Sequence, residues 1–347
     1  MKNSHVLIEN IEPFDDIWFK DCYYSALFPI IKHFYGSLNP FLLNEIYSYK
    51  YSSDGAPQLY FDSKQLDNNQ QLFDKLGICL EQKIICENVL NDIRTSIDDN
   101  QPVIVFVDCY YLSFRPDAYN KNHWAHAILI YGYDDNVKTF NIIDHDYIDS
   151  AVFRKRTESY NDIINSYNGY LKNISKGNYH AFSKFNKKAS DKPFSDINNS
   201  YFIIRHINYV LKMKEQIIQS FECINMFIDD LTTTYNNQKL QSIDINLMLN
   251  SLNGTIKNKG AQRYSYIKVF EESFSFNSLL DSIIGDYNFV RGVIGKYYFS
   301  GKLSQRSFEE CIKKMKNIYL LENEFFIVLV KYFESTLSIV ENKFILK

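Results

Sequence analysis

Apolar residues recur at two different spacings along this chain, and the spacing changes near residue 205. Before that point, short apolar runs predict strands that alternate with a few helices. Val103–Asp108 follows Pro102 as a continuous run that is typical of a buried strand, and residues 126–133 form another. From residue 208 to the end, apolar residues repeat every three or four positions, which predicts helices.

The strand over residues 126–133 is expected to open a hairpin. The turn residues Asp134-Asp135-Asn136 follow it, and residues 138–144 return as the partner strand. Since the turn folds the second strand back along the first, His126 at the start of the hairpin and Asp144 at its end are expected at the same edge of the sheet.

These patterns predict an α+β protein of two domains. Residues 172–199 are rich in Lys, Asn and Ser and indicate a long surface loop or linker, and residues 200–205 are interpreted as a last strand that closes the first domain. We therefore expect a first domain over residues 1–205 and a helical C-terminal domain over residues 206–347. The length of 347 residues suits a core domain with one appended domain.

The charge balance argues against two classes of protein. With 38 Lys and Arg against 41 Asp and Glu, the formal net charge is −3, which does not favour binding to nucleic acid or to an anionic membrane. The N-terminal apolar run is too short and too soon interrupted by an acid for a signal peptide, and no apolar stretch is long enough to span a bilayer. We therefore expect a cytoplasmic protein with neither nucleic acid nor membrane as partner.

The spacing of the cysteines and the number of aromatic residues limit the kinds of site that the sequence predicts. The six cysteines include no Cys-x-x-Cys pair and no cluster with zinc-site spacing, so neither a metal, a cofactor nor a disulfide framework is predicted. The 27 tyrosines and 27 phenylalanines are enough for a large core and for an aromatic or apolar ligand pocket. Nucleotide bias in the source genome explains the same abundance equally well.

Cys22 is the candidate nucleophile. It begins the apolar pattern of a helix that is expected to stop at Gly36. A thiol at a helix N-terminus meets unpaired backbone N–H groups and the positive end of the helix dipole, which favour the reactive thiolate.

His126 and Asp144 complete a candidate catalytic triad. An acid beside a histidine can accept a hydrogen bond from one imidazole nitrogen and leave the other nitrogen facing a thiol. Taken alone, a helix cysteine is more often a small buried hydrophobe, and a strand histidine is more often a satisfied core residue. The order of a helix cysteine, a strand histidine and a return strand ending in Asp is, however, that of papain-like enzymes.

Three other residues compete for these roles. His123 precedes His126 by three residues and would be the base if the strand began earlier. Asp146 lies on the same strand face as Asp144 and could replace it. Asp108 ends its strand and is either a pocket acid for a cationic amine or a cap of the following turn.

The sequence resembles the butirosin biosynthesis protein H family, which is related in fold to the C39 family of bacteriocin-processing peptidases. A similar enzyme forms amide bonds in closthioamide biosynthesis. The resemblance covers approximately residues 15–205 and is carried by residues 21–36, by residues 102–108 with 110–112, and by the histidine blocks 123–126 and 131–134. It implies a papain-like, C39 peptidase-like cysteine enzyme domain with a C-terminal α-helical domain.

The resemblance also implies acyl transfer in natural-product biosynthesis. Cys22 would take an acyl group from the phosphopantetheine thioester of an acyl carrier protein, and a small amine or diamine would then accept it as an amide. His126 would move the protons and Asp144 would orient His126. The phosphopantetheine arrives on the carrier protein, so no resident cofactor is implied.

One feature departs from the papain-like pattern. Papain-like proteases place a glutamine before the nucleophile as an oxyanion donor, but no glutamine precedes Cys22, and of the residues there only Lys20 could donate readily. A thioester would tolerate a weaker oxyanion hole than a peptide would, so this departure favours acyl transfer. Two other hypotheses stay open beside the acyltransferase: a cysteine peptidase or thioesterase of the same fold, and an inactive binding scaffold.

Overall fold

A computed structural model describes residues 4–17, 19–147, 150, 152–188, 199–270 and 276–345 of the chain. Helices and strands are both abundant, which confirms the α+β class. The chain divides into two compact units. The first unit comprises Met1–Leu38 and Asp67–Asn198, and the second comprises Asn39–Leu66 and Asn199–Lys347.

The elements are numbered in chain order. They are β1 (His5–Leu7), α1 (Cys22–Tyr35), α2 (Asn39–Leu42), β2 (Glu45–Ser52), β3 (Gln58–Gln65), α3 (Asn69–Leu76), β4 (Ile78–Lys83), α4 (Val89–Asp98), β5 (Val103–Asp108), β6 (Ala125–Asp134), β7 (Thr139–Asp144), β8 (Arg154–Ser159), α5 (Tyr160–Gly169), β9 (Phe182–Lys187), α6 (Asn199–Lys212), α7 (Lys214–Ser220), α8 (Glu222–Asn236), α9 (Ile245–Phe270), α10 (Phe276–Ser300) and α11 (Gln305–Ile345). A 3-10 turn, Cys109–Tyr111, follows β5, and a π-helical turn, Tyr170–Ser175, follows α5.

The first unit is built on an antiparallel sheet. Its strand order is β4-β9-β5-β6-β7-β8, and β1 pairs with β6 as well. The two middle strands, β5 and β6, are buried on both faces, which explains why their sequences are continuous apolar runs rather than alternating ones. The predicted strand Val103–Asp108 and the predicted hairpin of β6 with β7 are both confirmed.

Helix α1 begins and ends where the sequence predicts. The carboxylate of Asp21 caps its N-terminus by accepting a hydrogen bond from the backbone N–H of Tyr24 at 3.2 Å. Gly36 ends it in the left-handed region at φ 83°, a conformation that glycine adopts without steric cost. Cys22 is therefore the first residue of the helix.

Two of the sequence expectations are wrong. Residues 200–205 belong to helix α6 and not to a closing strand, because Phe202, His206 and Val210 recur at four-residue spacing on a buried face. Residues 182–187, expected in a loop, form strand β9 between β4 and β5, since this polar-looking segment pairs with a strand on each side. Part of the expected loop, residues 189–198, lies outside the described residues.

The second unit combines helices with the hairpin of β2 and β3, and helix side chains hydrogen-bond the hairpin at both edges. On β3, the hydroxyl of Thr255 donates to the carbonyl of Leu59 and accepts from the N–H of Phe61, both at 2.9 Å. On β2, the hydroxyl of Ser220 accepts from the N–H of Tyr49 at 3.1 Å. Because an open strand edge is costly to bury, these helices and the hairpin depend on each other.

Because the helices and the hairpin depend on each other, each compact unit is made of two chain segments and the chain is not divided once, at residue 205. Residues 39–66 precede most of the first unit in sequence, yet their strands complete the core of the second. Residues 199–205 also lie in the second unit, as the start of α6.

A buried ion pair lies in the core of the second unit. The ammonium of Lys259 is 2.6 Å from the carboxylate of Glu322, which also accepts a hydrogen bond from the hydroxyl of Tyr49 at 2.5 Å. The hydroxyl of Tyr287 donates to the hydroxyl of Tyr49 at 3.0 Å. The ammonium of Lys259 lies 3.7 Å from the centroid of the Phe61 ring. Burial lowers the pKa of Lys259 and Glu322 opposes that effect, so the cluster is held only while both partners are present.

None of the helices within the described residues combines the length and the apolar character needed to cross a membrane.

We predict that Gly169→Ala destabilises the first unit. A Cβ at this position would lie 2.2 Å from the ring of Tyr111 and 3.2 Å from Cβ of Asp108, so one of these groups must move. We expect a loss of roughly 1–3 kcal/mol in the free energy of unfolding. Tryptophan fluorescence during urea unfolding measures it, because both tryptophans of the chain fall in the residue ranges of this unit.

The matched control is Gly254→Ala. This glycine is also helical, but a Cβ there meets nothing within 4 Å. Circular dichroism should show that the control leaves helix α9 unchanged or stabilises it by up to about 1 kcal/mol. Equal unfolding curves for Gly169→Ala and the unsubstituted protein would contradict the close packing at Tyr111.

Candidate active site

Cys22 stands at the exposed end of helix α1. Its side chain is partly exposed, and residues 24–31 of the helix are buried. At the first position of the helix, the thiol lies where unpaired N–H groups and the helix dipole stabilise negative charge. The position therefore suits a nucleophile that must be reached by a substrate.

His126 is hydrogen-bonded to Asp144. Its Nε2 lies 2.6 Å from Oδ1 of Asp144, and both side chains are buried. The register explains the contact: Ile142 of β7 pairs with Ile130 of β6, so continuing the ladder places Asp144 opposite Ile128, on the same face as His126. The predicted proximity of His126 and Asp144 is thus present in the structure.

His126 interacts with Cys22 as well as with Asp144. Because Nε2 is engaged by Asp144, Nδ1 is the nitrogen that remains for the thiol. Burial alone would lower the pKa of His126, but the negative charge of Asp144, the interaction with Cys22 and their hydrogen bonds raise it well above its ordinary value. The site therefore favours an imidazolium beside Cys22 at neutral pH.

Two residues near Asp144 were not singled out as site residues from the sequence. His145 donates its backbone N–H to Oδ1 of Asp144 at 2.7 Å, and its ring lies 4.9 Å from that of His126. Burial and the positive charge of His126 lower the pKa of His145 to about 4, so its ring is neutral. The only available signal was its position directly after Asp144 in the sequence.

Arg115 is the second such residue, and its side chain is almost completely buried. Its guanidinium donates two hydrogen bonds to Asp117, at 3.0 and 2.9 Å. Burial acts to lower its pKa, but Asp117, Cys109 and Asp144 raise it overall. A permanent cation therefore lies within electrostatic reach of Asp144.

The side chains of His126, Asp144 and His145 could also hold a metal ion. Their potential ligand atoms all lie within 4.8 Å of one another, and imidazole with carboxylate is a donor set that suits Zn²⁺. A metal bound to Nε2 of His126 would take the nitrogen through which Asp144 orients the ring, so metal binding there and orientation of His126 would exclude each other.

Asp146 and His123, the alternatives to Asp144 and His126, bind other partners. Asp146 pairs with Arg156 and lies 3.4 Å from Arg154, and the hydrogen bond from Arg156 lowers its pKa. Asp146 is therefore bound to arginines of β8. His123 is bound to a different acid, with its Nδ1 2.7 Å from Oδ2 of Asp108.

Asp108 does cap the turn that follows β5, as one of the two alternatives predicts, because its Oδ1 accepts from the backbone N–H of Tyr110 at 3.1 Å. Lys20, the only ready oxyanion donor suggested by the sequence, lies with its ammonium 4.8 Å from the centroid of the Tyr24 ring. Its backbone is in the left-handed region at φ 59°.

A family model described as butirosin biosynthesis protein H, N-terminal, matches residues 40–145. The chain resembles this family. The match includes His126 and Asp144 as well as His123 and Asp108, and it begins after Cys22. No curated protein matches the chain.

We predict that His145 and His126 make opposite contributions to the pH dependence of stability. Between about pH 4 and 6.5, the unfolded chain protonates His145 while the folded protein keeps it neutral, so stability rises with pH. Above about pH 6.5, the folded protein retains on His126 a proton that the unfolded chain releases, so stability falls as pH rises through the folded pKa. Urea unfolding followed by tryptophan fluorescence from pH 4 to 8 measures both arms.

Single variants measure each contribution as a difference from the unsubstituted protein. His145→Gln should reduce the rise of stability between about pH 4 and 6.5 without removing it, because burial also lowers the pKa of His206 to about 4, and it raises the pKa of Glu158 to about 7, which has the opposite effect. His126→Gln should make the fall above pH 6.5 shallower. An unchanged slope above pH 6.5 in His126→Gln would show that His126 is not protonated in the folded protein.

A second prediction concerns the thiol itself. His126→Ala should slow alkylation of Cys22 by iodoacetamide at pH 7 by roughly tenfold, because the thiol loses the imidazole that interacts with it. Peptide mass spectrometry measures the rate. Cys79 is also partly exposed and serves as the internal control, since its alkylation should not change. Equal rates at Cys22 in both proteins would show that His126 does not activate the Cys22 thiol.

Proposed function

We propose that this protein is a cysteine-dependent acyltransferase of antibiotic biosynthesis, with a papain-like arrangement of its catalytic residues. It takes an acyl group from an acyl carrier protein thioester onto Cys22 and passes that group to an amine. The observation that carries the proposal is that His126 is hydrogen-bonded to the buried Asp144 and interacts with Cys22, the first residue of a helix. A nucleophile, a base and an orienting acid are the parts that covalent acyl transfer requires.

In the first half-reaction, the thiolate of Cys22 attacks the carbonyl carbon of the thioester. The bond from that carbon to the phosphopantetheine sulfur breaks, and the leaving thiolate takes the proton from the His126 imidazolium. Thioester exchange needs little driving force because the bond broken and the bond formed are of the same kind. Asp144 holds the His126 ring in the tautomer and orientation that this proton transfer needs.

In the second half-reaction, the amine nitrogen attacks the acyl-Cys22 carbon. His126, now neutral, accepts the proton that the nitrogen loses, and the bond from carbon to the Cys22 sulfur breaks. This restores the pair of thiolate and imidazolium. Because an amide is more stable than a thioester, the step is favourable and releases the product.

Two further observations support a transfer role of this kind. The family description names butirosin biosynthesis, and its match contains His126 and Asp144. Lys20 is engaged with an aromatic ring, so the N–H of Cys22 is the one oxyanion donor that we assign; loss of a donor elsewhere typically costs about 3 kcal/mol. A thioester, which is more reactive than a peptide, tolerates such a site better.

Whole-protein mass spectrometry after mixing with an acyl-loaded carrier protein tests the proposal. We expect an acyl adduct on Cys22 that added amine discharges faster than water does. Cys22→Ala should give no adduct, and His126→Ala should slow its formation roughly 10²–10⁴-fold. Asp144→Asn should slow it strongly, because the ring loses its fixed tautomer.

The control is Cys79→Ala, which removes another partly exposed thiol and should leave the adduct intact. Discharge by water at the same rate as by amine would instead indicate a thioesterase or peptidase. The absence of any adduct would favour a binding scaffold and reject the proposal.

A further inference from the structure

His145 contacts both members of the His126–Asp144 pair. Its backbone N–H donates to Oδ1 of Asp144 at 2.7 Å, and its ring centroid lies 4.9 Å from that of His126, with 45° between the two planes. His145 and His126 are both buried. His145 therefore packs against the ring that the proposed mechanism must keep in place.

The ring of His145 is itself fixed by two contacts. Its Nδ1 lies 3.0 Å from the backbone carbonyl oxygen of Ser150. Its ring also stacks on the buried ring of Phe153, with 4.7 Å between the centroids and 22° between the planes. Because a carbonyl oxygen can only accept a hydrogen bond, Nδ1 carries the ring proton, and Nε2 of the neutral ring carries the lone pair.

This tautomer prevents His145 from competing with His126 for Asp144. Nε2 of His145 lies 3.8 Å from Oδ1 of Asp144, which is longer than a hydrogen bond, and without a proton it cannot donate to that oxygen. Nε2 of His126 lies 2.6 Å from the same oxygen. The imidazole N–H that Asp144 accepts is therefore that of His126.

The hydrogen bond from Asp144 does not by itself fix the plane of the His126 ring. The ring can tilt about the line from Nε2 to Oδ1 and still keep that bond, because hydrogen bonds tolerate a range of angles. Such a tilt moves Nδ1, the nitrogen that remains for Cys22. A neighbouring ring that is held by its own contacts limits the tilt, because side chains in protein interiors are closely packed.

We propose that His145 is a positioning residue: its ring fixes the plane of the His126 ring, so that Nδ1 stays available to Cys22 in both half-reactions. The role in acyl transfer rests on the function proposed above, whereas the packing of the two rings does not. His145 takes no part in the proton transfers, since its ring proton is bound to the carbonyl oxygen of Ser150.

The rate at which Cys22 is acylated tests this role. His145→Ala should lower the limiting rate by about 10-fold to 10²-fold, because the reacting groups lose their alignment. The concentration of loaded carrier protein that gives half of that rate should not change, since His145 is buried and does not meet the carrier. Whole-protein mass spectrometry at a series of carrier concentrations measures both quantities.

Two further variants separate the ring from its hydrogen bond. His145→Phe keeps an aromatic ring against His126 but cannot donate to Ser150, and it should restore most of the rate. His145→Gln keeps a side-chain donor but has no ring, and it should be as slow as His145→Ala. Circular dichroism establishes that each variant is folded under the conditions of the assay.

The matched control is His206→Ala. His206 is also buried, its Nδ1 also lies 3.0 Å from a backbone carbonyl oxygen, that of Leu43, and its ring also contacts an aromatic ring, that of Tyr266. It belongs to the second unit. His206→Ala should therefore lower stability as the loss of a buried histidine does, and leave the acylation rate of the folded protein unchanged.

Proton NMR tests the positioning without any substrate. The proton in the 2.6 Å contact between His126 and Asp144 should resonate downfield of the backbone amides. We expect its signal in the unsubstituted protein and in His145→Phe. It should be broadened or lost in His145→Ala, because a mobile ring exchanges this proton faster, and absent in Asp144→Asn.

Each failure has its own signature. A folded His145→Ala that is acylated at the unsubstituted rate overturns the proposal, as does a His145→Phe that is as slow as His145→Ala. If the unsubstituted protein forms no acyl-Cys22, the proposed function fails. The NMR signal then still decides the positioning, and a signal that is unchanged in His145→Ala rejects it.

Discussion

The register of strand β6 is the constraint on which the candidate site depends. β6 lies between β5 and β7, and its ladder with β7 places Asp144 on the face of His126. Its ladder with β5 places Asp108 beside the start of β6. A shift by one residue would turn these side chains to the opposite face of the sheet and bury polar groups without partners. The continuous apolar core of β5 and β6 makes such a shift costly.

Two histidines of the first unit are held in the same way. In each pair, a buried carboxylate accepts a hydrogen bond from one imidazole nitrogen and so fixes which nitrogen remains basic. Their surroundings then differ. His126 is enclosed, interacts with Cys22 and is held in its cationic form, whereas His123 is half exposed and stacks on an aromatic ring. The register also separates the pairs: His126 pairs with Val107 and Asp108 pairs with Ala125, so Asp108 lies on the opposite face of the sheet from His126.

The second unit shows why the boundary between structural units does not have to coincide with a change of hydrophobic pattern along the sequence. The hairpin of β2 and β3 has strand-like alternation, which alone suggests membership of the sheet domain. Its open edges, however, are completed by the hydroxyls of Thr255 and Ser220 on helices far away in sequence. The buried pair of Lys259 and Glu322 adds a polar cluster that only the assembled helices can satisfy. No local pattern carries that information.

The sequence by itself determined the local features: the helix that starts at Cys22 and ends at Gly36, the buried strand of β5, and the turn that brings His126 towards Asp144. Each follows from short-range rules of capping, periodicity and turn chemistry. The tertiary structure alone decided that 182–187 is a strand, that 200–205 is helical, and that His145 and Arg115 lie beside Asp144. These outcomes depend on partners distant in sequence, whose hydrogen bonds and burial override local propensity.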